Sequence, residues 1–120
     1  MDIDRRITYF SPAVEKVLGY PMAEALRLTL DQLFTPASLS RASAEIQRAL
    51  ETVRSGGSLT PMIGEYEHVR KDGTVIWVEI SNNGVYDHHG QLAGFSGVSR
   101  DITRRKQAEQ ALQASEERYR

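Results

Sequence analysis

The segment between residues 64 and 102 constrains the fold most strongly, because three β-rich runs follow one another with only short turns between them. The runs cover residues 64–70, 74–86 and 91–102. Asp72-Gly73 between two such runs is a strong hairpin signal, and a four-residue loop closed by Gly90 is the next best. Strands joined by turns this short pair in antiparallel fashion with their neighbours in sequence. The segment therefore predicts an antiparallel meander.

Helix signals dominate the first half of the chain. Ser11-Pro12 and Thr35-Pro36 each combine a helix N-cap with a first-turn proline. The helix predicted at residues 38–54 carries one apolar stripe, formed by Ala42, Ile46, Ala49, Leu50 and Val53. The shorter elements are predicted as a strand at 6–10 and helices from 11 to 18, at 22–26 and at 31–34. One sheet with helices stacked on a single face belongs to the α+β class.

Side chains in the middle strand alternate between the two faces of the sheet. The uninterrupted aliphatic set is the better inward choice, and it consists of Ile76, Val78 and Ile80. Trp77 then lies on the outer face, where a partner subunit or the C-terminal helix could cover it. The candidate inward residues of the flanking strands are Tyr66 and His68 before the middle strand, and Phe95, Gly97 and Ser99 after it.

Composition excludes several classes of function. A net charge of −1 gives no bulk attraction to nucleic acid or an anionic membrane, and no apolar run is long enough to insert into a bilayer. With no cysteine, the chain has no disulfide and no cysteine-ligated metal. His88-His89 beside Asp87 supplies too few ligands for a metal site, so we interpret it as an exposed turn. We expect a cytoplasmic domain that is not itself catalytic, since it lacks a nucleophile–base pair and a phosphate-binding glycine loop.

Three fragments, in this order, make the chain resemble a PAS domain with its C-terminal PAC segment. They are ITYFSPAVEKVLGY at residues 7–20, EYEHVRKDGTVIWVEIS at 65–81 and GFSGVSRDITRRKQAE at 94–109. The resemblance implies a five-stranded antiparallel sheet, flanking helices, and a cavity between them. It also implies a place upstream of a histidine kinase, a cyclic-dinucleotide enzyme or a further PAS domain. Because the first strand of the family is largely missing before Ile7, we expect four strands, with an edge left open or completed by a neighbouring chain.

The resemblance also bears on the cofactor, which the sequence leaves open. Light-oxygen-voltage photosensors of this fold need a cysteine beside the flavin, and this chain has none. Haem-binding relatives carry a proximal histidine on the long helix, and residues 38–54 contain no histidine, which argues against haem by that route. Non-covalent flavin or a small metabolite remains open, although the candidate inward set lacks Asn and Gln, which disfavours flavin.

The predicted cavity residues come from the inward faces of the sheet and from the facing helices. They are Phe34, Ile46, Leu50, Tyr66, His68, Val78, Ile80, Phe95 and Ser99. The apolar members are equally typical of an ordinary core. His68 has two interpretations: it contacts a ligand and changes charge near neutral pH, or it is satisfied by a core hydroxyl such as that of Tyr66 or Ser99. A register error of one residue would place it on the outer face.

The domain is expected to end at residue 102, and residues 103–120 are expected to form a connector helix with nothing of its own domain to pack against. Its heptad positions, Arg105, Ala108, Leu112, Ser115 and Tyr119, are only partly apolar. We expect Asp101, Ile102, Thr103 and Leu112 to relay a signal through this helix. Asp101 either caps the helix or pairs with a neighbouring arginine. The helix either pairs with its copy in a homodimer and leads into the next domain, or is a flexible tail.

Two functional hypotheses result. The first is a sensor domain of a larger signalling protein, for which we favour a sensor histidine kinase, and it binds a small ligand and passes the change along the C-terminal helix. The second is a ligand-free dimerisation or protein-interaction module with the same fold. Dimerisation would use either the outer face around Trp77 or the connector helix.

Overall fold

The computed structural model describes residues 1–118 of the chain. Its elements are, in order, α1 (Val14–Leu18), α2 (Met22–Ala25), α3 (Leu30–Leu33), α4 (Pro36–Arg54), β1 (Met62–Val69), β2 (Val75–Tyr86), β3 (Leu92–Asp101) and α5 (Thr103–Arg118). The predicted helices and the three strands of the meander are confirmed, with most boundaries shifted by one or two residues. The predicted heptad position Tyr119 lies outside the described residues.

The sheet is an antiparallel meander in the order β1-β2-β3, as predicted. Tyr66 pairs with Val78 across the first two strands, and Ile80 pairs with Ser99 across the last two. Gly73 and Gly90 close the two turns with φ angles of 87° and 77°, a left-handed conformation that side chains disfavour. The glycines of the two loops therefore set the hairpins, and the hairpins set the register.

The prediction of a strand at residues 6–10, and with it of a four-stranded sheet, is wrong. Of residues 1–10, only the first two pair with the sheet: Phe95 donates its backbone N–H to the Met1 carbonyl oxygen at 2.9 Å, and Asp2 forms an isolated bridge with Gly94. The carboxylate of Asp2 then accepts the backbone N–H groups of Asp4 and Arg6, which folds the chain into a turn. Because of this turn, residues 7–10 lie along a cavity instead of pairing with β3.

The core lies between the helices and the inner face of the sheet. Its main cluster contains Val14, Leu18, Ala25, Leu33, Phe34, Ala42, Ile76 and Val78, and a second cluster contains Ala49, Leu92 and Phe95. The inward assignment of the middle strand is confirmed, because Ile80 packs against the main cluster beside Ile76 and Val78. Helix α4 is tied to the sheet by buried Ser38, whose hydroxyl accepts the backbone N–H of Glu67 at 2.8 Å.

The expectation that the C-terminal helix has nothing to pack against is wrong for its first two turns. The buried residue Ile102 donates its backbone N–H to the Trp77 carbonyl oxygen at 2.9 Å. The Thr103 hydroxyl accepts the Trp77 N–H at 3.0 Å, and the Asp101 carboxylate accepts the Thr103 N–H at 2.9 Å. Asp101 therefore caps α5, which decides between the two roles that the sequence left open.

Candidate ligand cavity and helix junction

A cavity of about 460 Å³ separates the helices from the inner face of the sheet. Helices α3 and α4 form one wall, the three strands form the opposite wall, and residues 7–10 close a third side. Pockets that hold small molecules in proteins usually measure about 300–1,000 Å³ and are mainly apolar with a few polar groups. In size and composition, this cavity falls within that range.

Seven of the nine predicted cavity residues line this space, and two do not. The seven are Phe34, Ile46, Tyr66, His68, Ile80, Phe95 and Ser99. Val78 is 1% exposed because the main cluster covers it completely. Leu50 lies one turn beyond Ile46 on α4 and packs in the second cluster, beside Ala49. Helix α4 therefore contributes only its middle turns to the cavity.

The floor of the cavity depends on two glycines whose role the sequence analysis did not identify. A Cβ atom on Gly64 would lie 2.6 Å from the ring and the hydroxyl of Tyr66, so the bare backbone lets this ring lie over the strand. A Cβ atom on Gly97 would overlap the Asn82 side-chain oxygen and the Ser81 carbonyl oxygen. Both glycines occupy inward positions, and a side chain at either would take up space on the sheet face.

His68 is the most deeply buried titratable residue of the cavity. It is 5% exposed, and its ring meets Phe34 edge to face with 4.6 Å between the ring centroids. Within residues 1–118, Nε2 of His68 is buried and has no hydrogen-bond partner, so neither Tyr66 nor Ser99 satisfies it. Burial lowers the pKa of His68 from 6.5 to about 4, because removal of water disfavours the imidazolium. The side chain is consequently neutral at physiological pH.

Asn82 is a second polar residue of the cavity, and the sequence analysis missed it. The signal was present, since Asn82 continues the inward alternation two residues beyond Ile80. Its presence removes the premise that the inward set contains no amide, which was the argument against non-covalent flavin. Asn82 lies opposite Met62 in the register, six residues along β1 from His68, which corresponds to about 20 Å at ~3.3 Å per residue.

Each charged group in the cavity wall already has a partner. Asp2 pairs with Arg6 at 3.0 Å, Glu45 pairs with Arg48 at 3.0 Å, and the amino group of Met1 donates to the Phe95 carbonyl oxygen at 3.0 Å. No lysine or arginine side chain is among the described residues that line the space. The interior therefore offers no free charge to a ligand.

The junction with α5 lies on the opposite face of the sheet. Glu65 and Glu79 are directly opposed across β1 and β2, a like-charge arrangement that is unfavourable on its own. Arg105 contacts both carboxylates, and Lys106 lies 3.2 Å from Glu65. The hydrogen bond from Lys106 and the charges of both cations lower the pKa of Glu65. The Lys106 ammonium also lies 4.6 Å from the centre of the Trp77 ring, so the helix covers the residue predicted to be outward-facing.

The predicted relay residues separate into two groups. Asp101, Ile102 and Thr103 lie together at the start of α5 and hydrogen bond to one another or to Trp77. Leu112 lies farther along the helix and is 62% exposed, away from that junction.

The ring centroids of His88 and His89 lie 3.9 Å apart in the second hairpin loop, with the rings tilted by 43°, and no group of three metal-ligating side chains occurs in residues 1–118. Among the described helices, none combines the length and the apolar character needed to cross a membrane.

Proteins of similar sequence and structure include bacterial kinases. The chain is 29% identical over 106 residues to sporulation kinase C of Bacillus subtilis (strain 168), covering 88% of this chain and 23% of that protein. It is 26% identical over 111 residues to the sensor histidine kinase TmoS of Ectopseudomonas mendocina, covering 92% of this chain and 11% of that protein. A solved sensory box histidine kinase/response regulator from Burkholderia thailandensis E264 superposes with a TM-score of 0.71 at 25% identity, covering 92% of this chain and 79% of that one.

The family comparison agrees with the architecture. The family model of the PAS domain matches residues 1–104, which include all three strands, the cavity and the beginning of α5. The chain therefore belongs to the PAS domain family, whose members are signal-sensing modules.

Proposed function

We propose that this domain binds a small molecule in the cavity and passes the resulting change through α5 to an output domain of a larger protein. The observation that carries the proposal is His68, a residue that lines the 460 Å³ cavity and whose buried Nε2 atom has no hydrogen-bond partner within residues 1–118. Buried polar groups in native proteins are almost always hydrogen bonded, and leaving one unpaired costs about 1–3 kcal/mol. A ligand that hydrogen bonds to this nitrogen would remove that cost.

The path from the cavity to α5 is short. Ser99 lines the cavity and precedes the helix cap, Asp101, by two residues on β3. On β2, the backbone of Trp77 is bonded to both Ile102 and Thr103, while its neighbours Ile76 and Val78 belong to the core. A shift of the strands on ligand binding would therefore reach the start of α5 through direct hydrogen bonds.

The relatives support a kinase as the output protein. Both are kinases by name, and the chain spans only 23% and 11% of their lengths, so we infer a sensor histidine kinase as the parent protein. In such a protein the domain would change the output only if the ligand binds one conformation of the junction better than the other.

Native mass spectrometry of the purified domain, before and after denaturation, tests ligand binding. Two neighbouring positions on β3 give a matched pair of variants: Ser99→Trp adds a large ring at a residue that lines the cavity, whereas Val98→Trp adds the same ring on the outer face, where Val98 is 74% exposed. We expect a bound small molecule in the wild type and in Val98→Trp, and its loss in Ser99→Trp. Repeated absence of any bound molecule from the wild type would contradict the proposal.

The second candidate function, a dimerisation module, is favoured by one observation on the outer face. Ile63 and Val98 are 69% and 74% exposed, and the register places them on either side of Ser81 in one row across the sheet. Exposed apolar side chains that lie close together on a surface are a feature of protein contact sites. Sedimentation of the wild type and of Val98→Glu tests it, since a dimer through this face would dissociate on introduction of the charge. A wild type that is monomeric at high micromolar concentration would exclude this dimer.

A further inference from the structure

We infer that the cavity selects an uncharged ligand that has an apolar body and a hydroxyl or carbonyl group bonded to Nε2 of His68. The inference rests on the proposed ligand-binding function and adds the chemical class of the ligand. It depends on two independent features of the cavity: the pairing of its charges, and His68, a lining residue whose buried Nε2 atom has no partner within residues 1–118.

The first feature concerns charge. The carboxylates of Asp2 and Glu45 at the cavity wall are already paired with Arg6 and Arg48. The backbone N–H groups of Arg6 and Asp4 and the charge of Arg6 also lower the pKa of Asp2, which keeps it ionised. A carboxylate or phosphate entering the cavity would find no free cation, and an ammonium group would find no free anion. Burial of an unpaired charge is costly, so ions of both signs are disfavoured.

The second feature concerns the hydrogen bond. His68 lies at one end of the cavity, against Phe34, and the lining between His68 and Asn82 is largely apolar, including Ile80 and Phe95. A neutral imidazole carries its proton on either nitrogen, so Nε2 can donate to a carbonyl oxygen or accept from a hydroxyl. The favoured ligand therefore places one such group beside His68 and its apolar body along the sheet.

Four small probes with the same apolar body test the charge selection. They are 4-phenylbutan-1-ol, 4-phenylbutanoate, 4-phenylbutan-1-amine and butylbenzene, titrated into the intact chain at pH 7 with binding followed by ligand-observed NMR. We expect the alcohol to bind more tightly than the carboxylate and the ammonium by at least about tenfold, since each ion would lose its hydration without gaining a partner. We expect the alcohol also to bind more tightly than butylbenzene, by about three- to tenfold, for one added hydrogen bond.

The variant His68→Leu tests the role of the imidazole. It should abolish the preference for the alcohol over butylbenzene and leave the affinity for butylbenzene unchanged. Unchanged binding of butylbenzene would show that the fold and the cavity of the variant are intact. The preference should remain in His89→Leu, because His89 lies in an exposed hairpin loop. If the alcohol keeps its preference in His68→Leu, the assigned hydrogen bond is wrong.

The outcomes separate this inference from the proposed function. Binding of the carboxylate or the ammonium that equals or exceeds binding of the alcohol overturns the charge selection, while ligand binding itself stands. Binding of none of the four probes also overturns the inference. In that case native mass spectrometry of the wild type tests the proposed function separately. A bound small molecule in that spectrum would support ligand binding even though the inference about ligand class is wrong.

Discussion

The buried imidazole of His68 makes the stability of the domain depend on pH in a specific interval. The pKa of His68 falls from 6.5 to about 4 on folding, because burial removes the water that stabilises the imidazolium. Above pH 6.5 the side chain is neutral in both the folded and the unfolded chain, so it adds no pH dependence. Between pH 6.5 and pH 4 the unfolded chain binds a proton that the folded chain does not, and the free energy of unfolding falls.

The magnitude follows from this interval. At about 1.4 kcal/mol per pH unit, a fall in pKa from 6.5 to about 4 corresponds to a loss of about 3 kcal/mol between pH 7 and pH 4. Because the side chain is only 5% exposed, solvent screening does not reduce this figure greatly. His68→Leu removes the titrating group, so its free energy of unfolding should decline less over the same interval, by about 3 kcal/mol.

Urea denaturation followed by circular dichroism, at pH values from 7 to 4, measures this difference. Asp2, Glu65 and Asp72, whose pKa values are lowered in the folded chain, titrate in both proteins and cancel in the comparison. His89→Leu removes an exposed histidine and should keep the profile of the wild type. Parallel profiles of the wild type and His68→Leu would refute the assignment of a buried, neutral imidazole.

Three further predictions concern the core, the cavity floor and the helix junction. Leu18→Ala should lower the free energy of unfolding by about 2–5 kcal/mol, because the side chain is buried. The exposed control Leu112→Ala should change it by less than about 0.5 kcal/mol. Equal losses of stability in the two variants, measured by chemical denaturation, would contradict this prediction. Gly64→Ala should push the Tyr66 ring into the cavity and weaken binding of 4-phenylbutan-1-ol, and unchanged binding by NMR titration would show that the ring has another way to move. Arg105→Ala should remove a cation that contacts both Glu65 and Glu79, and therefore speed amide hydrogen exchange in the first turns of α5. High salt should diminish this effect. Equal exchange rates in the wild type and Arg105→Ala at low salt would contradict the prediction.

Much of the fold was predictable because its signals are local. Turn glycines, the proline after Thr35 and the alternation along β2 each act over a few residues, so they predicted the hairpins, the start of α4 and the inward face. The same alternation continues to Asn82, so applying it two residues beyond Ile80 would have predicted Asn82 as a cavity residue.

The errors occurred where the outcome depended on contacts between distant residues. Residues 6–10 have the composition of a strand, but the turn around Asp2 takes precedence over that propensity. The first turns of α5 look like a solvated charged helix until the register of β1 and β2 brings Glu65 and Glu79 together beneath Arg105.

The amino-acid sequence by itself determined the two hairpins of the meander, the start of α4 and the inward face of β2, because each of these follows from patterns only a few residues long. Only the tertiary structure decided that Nε2 of His68 has no partner among residues 1–118, that Leu50 and Val78 lie outside the cavity, and that α5 is docked on the sheet. These outcomes depend on the distance between the helices and the sheet and on which side chains fill the space between them. Both are set by the packing of the complete core and not by any short segment.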